Sequence, residues 1–194
     1  MIITVDHLKG IAGKATKLMP GLVEHINLIC PEYGIDEPHE FAHFLAQACH
    51  ETAYFRTLQE YASGEAYEGR MDLGNTEKGD GVRFKGRGIF QTTGRANYTQ
   101  LGIAYKIPNL FIDTPTLLEQ PKYAVWSACE YWKTRNINDI ANMPDTYILK
   151  CKRKGTVHEV PPVDYISMVI NGGFNGIEDR RKLYGKAKCV LGVA

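Results

Sequence analysis

Apolar residues recur at intervals of three and four near the start of the chain, at Val5, Leu8, Ile11, Ala12, Ala15 and Leu18. That spacing lines one side of a helix and predicts a helical segment over 4–18, which Pro20 ends or redirects. A second stripe, Leu22, Val23, Ile26 and Ile29, runs towards Gly34. Pro38 then stands where a first helical turn tolerates proline, and predicts a third helix from 38 to about 50. Between 61 and 85 the pattern changes. Gly64, Gly69, Gly74, Gly79 and Gly81 break a polar stretch too rich in glycine for a stable helix, which predicts loop and a short hairpin. Helical spacing returns over 95–104 and again after Pro121, where Ala124, Val125, Ala128, Tyr131 and Trp132 share a side. Two more helices are predicted over 164–170 and 177–190. No internal repeat, low-complexity tract or linker interrupts the series. The expected architecture is mainly α, an α+β helical domain with a small β-hairpin element beside the active-site cleft, forming a single domain over 1–194.

Composition narrows the function classes. The 194 residues suit one core, and 44% hydrophobic with 23% charged residues is ordinary globular usage. Lys and Arg number 23 against 22 Asp and Glu, so a net charge of +1 gives no overall field to draw in nucleic acid or an anionic membrane. Cys30, Cys49, Cys129, Cys151 and Cys189 are widely spaced without a CxxC pair, which predicts free buried thiols. Asp6, His7, Lys9 and Lys14 interrupt the apolar run that a signal peptide needs, and no stretch approaches the roughly 18 apolar residues of a membrane span. The expectation is a monomer made in the cytoplasm without stable membrane insertion.

Two chemistries compete in the third helix. His39-Glu40-Phe41-Ala42-His43 fits the HExxH zinc pattern, with two imidazoles one turn apart and a glutamate beside them. Glu60 would be a third ligand, but Ala46 and Cys49 occupy the places of the metzincin extension, and the motif sits in a first turn where polar residues are common. The other candidate is Glu51, in His50-Glu51-Thr52, with Glu60 beyond it. Acetal hydrolysis needs one carboxylic acid to protonate the leaving oxygen and a second carboxylate to activate water. Nine residues of continuous helix turn through about 900°, which places the two side chains on opposite faces. The helix must therefore break after Glu51. At the margin of an apolar helix, desolvation would hold Glu51 protonated, while Glu60 in a wetter loop stays ionised. Glu65, Glu68 and Asp72 remain alternatives for the second carboxylate.

Gly86-Arg87-Gly88-Ile89-Phe90-Gln91-Thr92-Thr93-Gly94-Arg95-Ala96-Asn97-Tyr98 resembles the GRGxxQxTGxxNY signature of family 19 glycoside hydrolases, the chitinase-like enzymes that include many phage endolysins. FLAQACHET at 44–52, GNTEKGDGVRFKGRG at 74–88, LEQPKYAVWSACEYW from 118 and INGGFNG at 170–176 follow in the family's order, and the GNTxxGDG portion is more similar to the endolysin branch. The resemblance implies Glu51 as general acid, Glu60 as general base on a hairpin, and Thr76 orienting the attacking water. It implies Gln91, Thr93, Asn97 and Asn171 as glycan-binding groups, with Arg181, or alternatively Arg180, supporting the acidic cluster. No cofactor or metal is implied. Family members invert configuration, with carboxylates on the order of 6.5 to 9.5 Å apart. Here Ala53-Tyr54 follows the acid where family members often carry glycine.

The amides of Gln91 and Asn97 suit hydroxyl and N-acetyl groups, whereas Gly86, Gly88 and Gly94 read as turn formers and Arg87 as the partner of a core carboxylate. Tyr54, Tyr61, Tyr67 and Phe84 are candidate sugar-facing surfaces. Residues 150–154, Lys-Cys-Lys-Arg-Lys, form a basic cluster that is either a solvated loop or a contact to anionic wall polymer. The resulting expectation is a glycosidase acting on β-1,4 bonds of peptidoglycan, or else of a chitin-like glycan. An endolysin would reach the wall after holin-dependent release, and an antibacterial effector would require an immunity protein. A zinc peptidase and a catalytically inert glycan-binding module are the remaining alternatives.

Overall fold

A computed structural model describes residues 1–193. Helix α1 (Val5–Ala12) starts with a capping box between Thr4 and His7 and ends at Gly13, whose left-handed backbone returns its N–H to Lys9 O. The helix therefore stops well short of Leu18. Pro20 does not terminate it. Pro20 lies in the first turn of α2 (Met19–Ile29), where a missing N–H costs nothing. Helix α3 (Pro38–Glu51) begins at Pro38 as predicted.

The chain continues through α4 (Asp80–Arg83), α5 (Arg95–Ala104), α6 (Leu110–Asp113), α7 (Pro121–Thr134) and α8 (Ile137–Ala141). Strands β1 (Leu149–Arg153) and β2 (Thr156–Val160) come next, then α9 (Pro162–Asn171) and α10 (Ile177–Leu191). The mainly helical architecture with a small antiparallel sheet matches the sequence reading.

Helix α3 is the axis of the larger core. Every residue from Glu40 to Cys49 is buried, so the helix is covered on all sides, with α10 packed along it. Phe44 meets Trp132 and Phe90 edge-on, tying α3 to α7 and to the loop before α5. A second apolar cluster, Phe84, Tyr98, Phe111 and Leu118, lies beneath α5, α6 and the start of α7.

The β element is not where glycine density placed it. Residues 61–85 form turns and the short α4, and the neck of this excursion is closed by single bridges, Gln59 to Arg87 and Arg87 to Thr92. The hairpin lies later, with Leu149 opposite Val160 and Arg153 opposite Thr156. Lys154 and Gly155 both take positive φ (46° and 85°), as a two-residue turn joining twisted strands requires. All five cysteines are free; four are buried as expected, and Cys189 is exposed because it faces outward from α10.

Candidate active site

Glu51 closes α3, and the helix breaks beyond it without glycine. Ala53, Tyr54 and Phe55 all have left-handed backbone, with φ of 49°, 66° and 58°. Each such residue costs roughly 1–2 kcal/mol, so the turn must be held from outside. Thr52 Oγ1 donates to Ala48 O at 2.6 Å and accepts from Phe55 N at 3.0 Å, while buried Phe55 anchors the exit. Asp179 on α10 takes a bond from Tyr54 Oη at 2.5 Å and pairs with His50 Nδ1 at 2.7 Å. Burial pushes the Asp179 carboxyl up, but the bonds from Tyr54 and His50 outweigh it and bring it below the usual carboxylate range.

The neighbouring Arg180 holds the acid itself. Its buried guanidinium donates to Gln47 Oε1 at 2.5 Å and pairs with Glu51 Oε1. The expected apolar surround for Glu51 is thus replaced by an ion pair, with the glutamate side chain 18% exposed. Oε2 of Glu51 has no bonded partner among the described residues and is the oxygen open to a ligand. Arg181, carried over by resemblance, points elsewhere. It grips Asp164 at 2.9 and 2.5 Å and reaches Glu178 at 2.9 Å. Successive residues on a helix diverge by about 100°, so only one of the two arginines can face α3.

Glu60 is positioned by backbone. Its N–H donates to Gly86 O at 3.0 Å, and Gly86 N returns a bond to Glu60 Oε1 at 2.7 Å. Tyr67 Oη donates to the other carboxylate oxygen at 2.9 Å. Burial and then Glu60 raise the Tyr67 phenol, which keeps it a donor. A Cβ on Gly86 would stand 2.9 Å from Gln91 Oε1, 3.3 Å from Glu60 Cδ and 3.3 Å from Thr93 Oγ1. Gly86 therefore serves close approach rather than a turn, and gathers three predicted site residues around one point. Of the rival acids, Glu65 is exposed and the other two have other tasks. Glu68 caps Gly79 N and Gly81 N, and exposed Asp72 pairs with Arg70.

Gln91, Thr93 and Asn97 line a groove of about 610 Å³ between α5 and α7, with Tyr131, Arg135 and Ile170 on its other side. Gln91 Nε2 is used on Gly88 O, but its Oε1 is buried and without a protein donor among the described residues. Asn97 Nδ2 is used on Thr93 O at 2.7 Å. Tyr131 Oη donates to Val169 O at 2.8 Å, and its phenol is raised by burial first, with Arg135 opposing and the Glu51 charge adding. Asn171 ends α9 next to Ile170 and donates to Asn175 O at 3.3 Å. Thr76 is exposed on the loop beyond Glu60, with no bond to it among the described residues. Its neighbour Asn75, buried, pins that loop to Tyr67 O and Arg95 N.

Of the aromatic candidates, Phe84 is buried in the second core, Tyr54 and Tyr67 serve the two carboxylate supports, and Tyr61 is exposed. Arg87 pairs with Glu119 at 2.7 Å, as its core reading expected. The HExxH residues do not converge. His39 bonds Asn142 at 2.5 Å, Glu40 accepts from Asp36 N and Glu37 N at 3.0 Å, and His43 is buried against Tyr184. Among the described residues, no three His, Cys, Asp or Glu side chains gather as a metal site.

No family model matches the chain. A glycosyl hydrolase family 19 domain-containing protein of Haemophilus influenzae is 27% identical over 125 residues, 64% of this chain. The chain matches about half the length of that relative, 51%. Chitinase C from Streptomyces griseus superposes with a TM-score of 0.66 at 18% identity, covering 100% of this chain and 94% of that one. A class IV family 19 chitinase from Zea mays gives 0.68 at 18% identity, with 100% and 94% covered. These two likenesses establish the fold. The chain is thus similar to family 19 glycoside hydrolases, in sequence over that stretch and in fold over its whole length. Tyr67, which bonds Glu60, and Asp179, which holds the turn after Glu51, are supports that the sequence reading did not single out as such. An acidic residue directly preceding Arg180 was the available signal for Asp179.

Proposed function

We propose that this chain is a family 19 glycoside hydrolase domain that hydrolyses β-1,4 glycosidic bonds of an N-acetylhexosamine polymer, with peptidoglycan as substrate. The observation that carries the reading is a pair of differently held carboxylates, with Gln91 and Thr93 of the groove gathered around Gly86 next to Glu60. Glu51 is joined to a buried arginine through one oxygen, and Glu60 receives one donor on each oxygen.

A glycan lying along the groove presents its bridging oxygen to Glu51 Oε2, which delivers a proton as the bond from the anomeric carbon to that oxygen breaks. Glu60 keeps a lone pair on each oxygen beyond those used by Gly86 and Tyr67, and takes the proton of the attacking water. The water oxygen bonds to the anomeric carbon from the opposite face, giving inversion. Gln91 Oε1 supplies an acceptor for a sugar hydroxyl or N-acetyl N–H, which removes the cost of leaving it unpaired, about 1–3 kcal/mol. Thr93, Asn97 and Asn171 place the neighbouring sugars, and Thr76 orients water once a glycan is bound. In this reading the protein acts on the wall as a monomer made in the cytoplasm, reaching it by holin-dependent release as an endolysin or by secretion as an effector paired with an immunity protein.

Chitin is the second reading, favoured by the chitinases among the structural neighbours. Mass spectrometry of products from purified peptidoglycan and from chitin oligomers separates the two. Muropeptides with new reducing ends support peptidoglycan and identify which sugar carries the end. Products from chitin alone move the substrate, and products from neither overturn the glycosidase reading.

A further inference from the structure

The basic cluster at 150–154 is not a loop. Its residues form β1 and the turn of the hairpin, and strand alternation divides them between two faces. Lys150 and Lys152 are exposed on the outer face, where Lys150 pairs with Glu159 at 3.3 Å. Leu149, Cys151 and Arg153 share the inner face with Val160, His158 and Thr156. That face is apolar and buried at its base, at Cys151 and Val160, and changes character towards the tip.

Arg153 is the anomaly. It is a half-buried cation on the covered side of the hairpin, and no carboxylate pairs with it among the described residues. Its guanidinium fills the space that a Cβ on Gly173 would take, so only glycine at that position admits it. Together Arg153, Lys154, Thr156, His158, Phe174 and Asn175 line a recess of about 330 Å³. Phe174 meets the His158 ring edge-on at 5.1 Å between centroids and forms an apolar wall. A cation held against a wall, with hydroxyl, imidazole and amide around it and no internal counter-charge, is equipped for an anion.

The recess is coupled to the acid. Asn175 O accepts from Arg180 Nε at 3.4 Å and from Asn171 Nδ2 at 3.3 Å, and Arg180 is the residue paired with Glu51. One backbone carbonyl thus joins the recess to the arginine that holds Glu51.

We infer that the recess under the hairpin is a subsite for a carboxylate carried by the glycan, and that Arg153 selects peptide-bearing anionic strands over neutral ones. The inference rests on the glycosidase reading and deepens it, since chitin offers no such carboxylate whereas the lactyl-peptide arms of peptidoglycan do. The guanidinium fork binds a planar carboxylate in two-point fashion, and Lys154 and His158 add charge and donors at the rim.

The test uses soluble, uncrosslinked peptidoglycan strands with free peptide carboxylates, and the same strands after amidation. Initial rates are measured for the wild type, Arg153→Gln and Gly173→Ala, with thermal unfolding as the control for folding. Calorimetric binding of both strands to Glu51→Gln gives a readout independent of turnover. We expect the wild type to show at least a tenfold lower KM for the free-carboxylate strands, and both variants to lose that difference. Gly173→Ala reports even if Arg153→Gln folds poorly, because its added methyl displaces the guanidinium. Equal KM for the two strands in the wild type, or discrimination that survives both variants, overturns the subsite. Competition by a glycerol-phosphate polymer without any effect of amidation overturns the carboxylate assignment in favour of phosphate. Discrimination in binding with no turnover of any strand sustains the subsite and rejects the hydrolytic reading instead.

Discussion

The two carboxylates are held by opposite means. Glu51 ends a helix buried along most of its length, and the residues that fix it, Gln47, Asp179 and Arg180, come from α3 and α10. Glu60 has no regular element of its own. It is held by reciprocal backbone bonds to Gly86 and by Tyr67 within an excursion of turns. In the proposed reaction the proton donor and the water activator would thus have unequal supports: ionic and buried for one, backbone pairing in a wetter loop for the other. Strain accompanies the first, in three successive left-handed residues, and close backbone approach accompanies the second, at Gly86.

Disabling the loop side alone puts this contrast under the greatest stress. Glu60→Gln should lower kcat by about 10²–10⁴-fold with folding unaffected, because the base is lost and nothing in the helical core depends on it. Partial rescue by azide or formate in a kinetic assay would confirm an open path for a small nucleophile. Normal turnover would pass the role to another acid. Damage to the helical side should instead weaken the fold. Arg180→Gln leaves Glu51 without its counter-charge and removes the donor to Oε1 of buried Gln47, and should cost about 3–5 kcal/mol by denaturant unfolding.

Helical starts were legible because proline is tolerated in a first turn, where its missing N–H is unpaired in any case. Pro38, and Pro121 with the stripe that follows it, became the starts of α3 and α7. The hairpin was not legible. Its inner face carries Arg153 and His158 among apolar residues, which erases the alternation, and its turn is Lys-Gly rather than the usual Asn-Gly. Gln91, Thr93 and Glu60 were identified by motif and converge in space. Arg180 and Arg181 were separable only by helix phase relative to α3, which one sequence does not reveal. HExxH misdirects because His43 and Glu40 are core and cap residues of α3.

The buried helical side should also be the acid-sensitive one. His43, stacked on Tyr184 at 4.0 Å with neither ring nitrogen bonded, is pushed down by burial to about 3, with Asp145 opposing and His39 and Lys188 adding to the shift. Below the ordinary histidine range the unfolded chain takes up a proton that the folded chain refuses. Stability should therefore be flat above about pH 6.5 and fall as pH drops towards 3, by at most about 1.4 kcal/mol per pH unit from this group. His43→Phe should flatten that slope in unfolding measured across pH 4–7, and an unchanged slope would assign it to other groups. The smallest effect tests the strained turn. Ala53→Gly should raise stability by about 0.5–1 kcal/mol, as relief of the left-handed penalty outweighs added backbone freedom, and a loss would show the turn unstrained at that residue.

The measurement that bears most directly on the paired-carboxylate claim is the turnover of Glu51→Gln on saturating glycan, alongside its binding affinity. The account predicts kcat reduced by about 10²–10⁴-fold with affinity and fold retained, since glutamine occupies the same place beside Arg180 and has no proton to give. Undiminished kcat in that variant would contradict it.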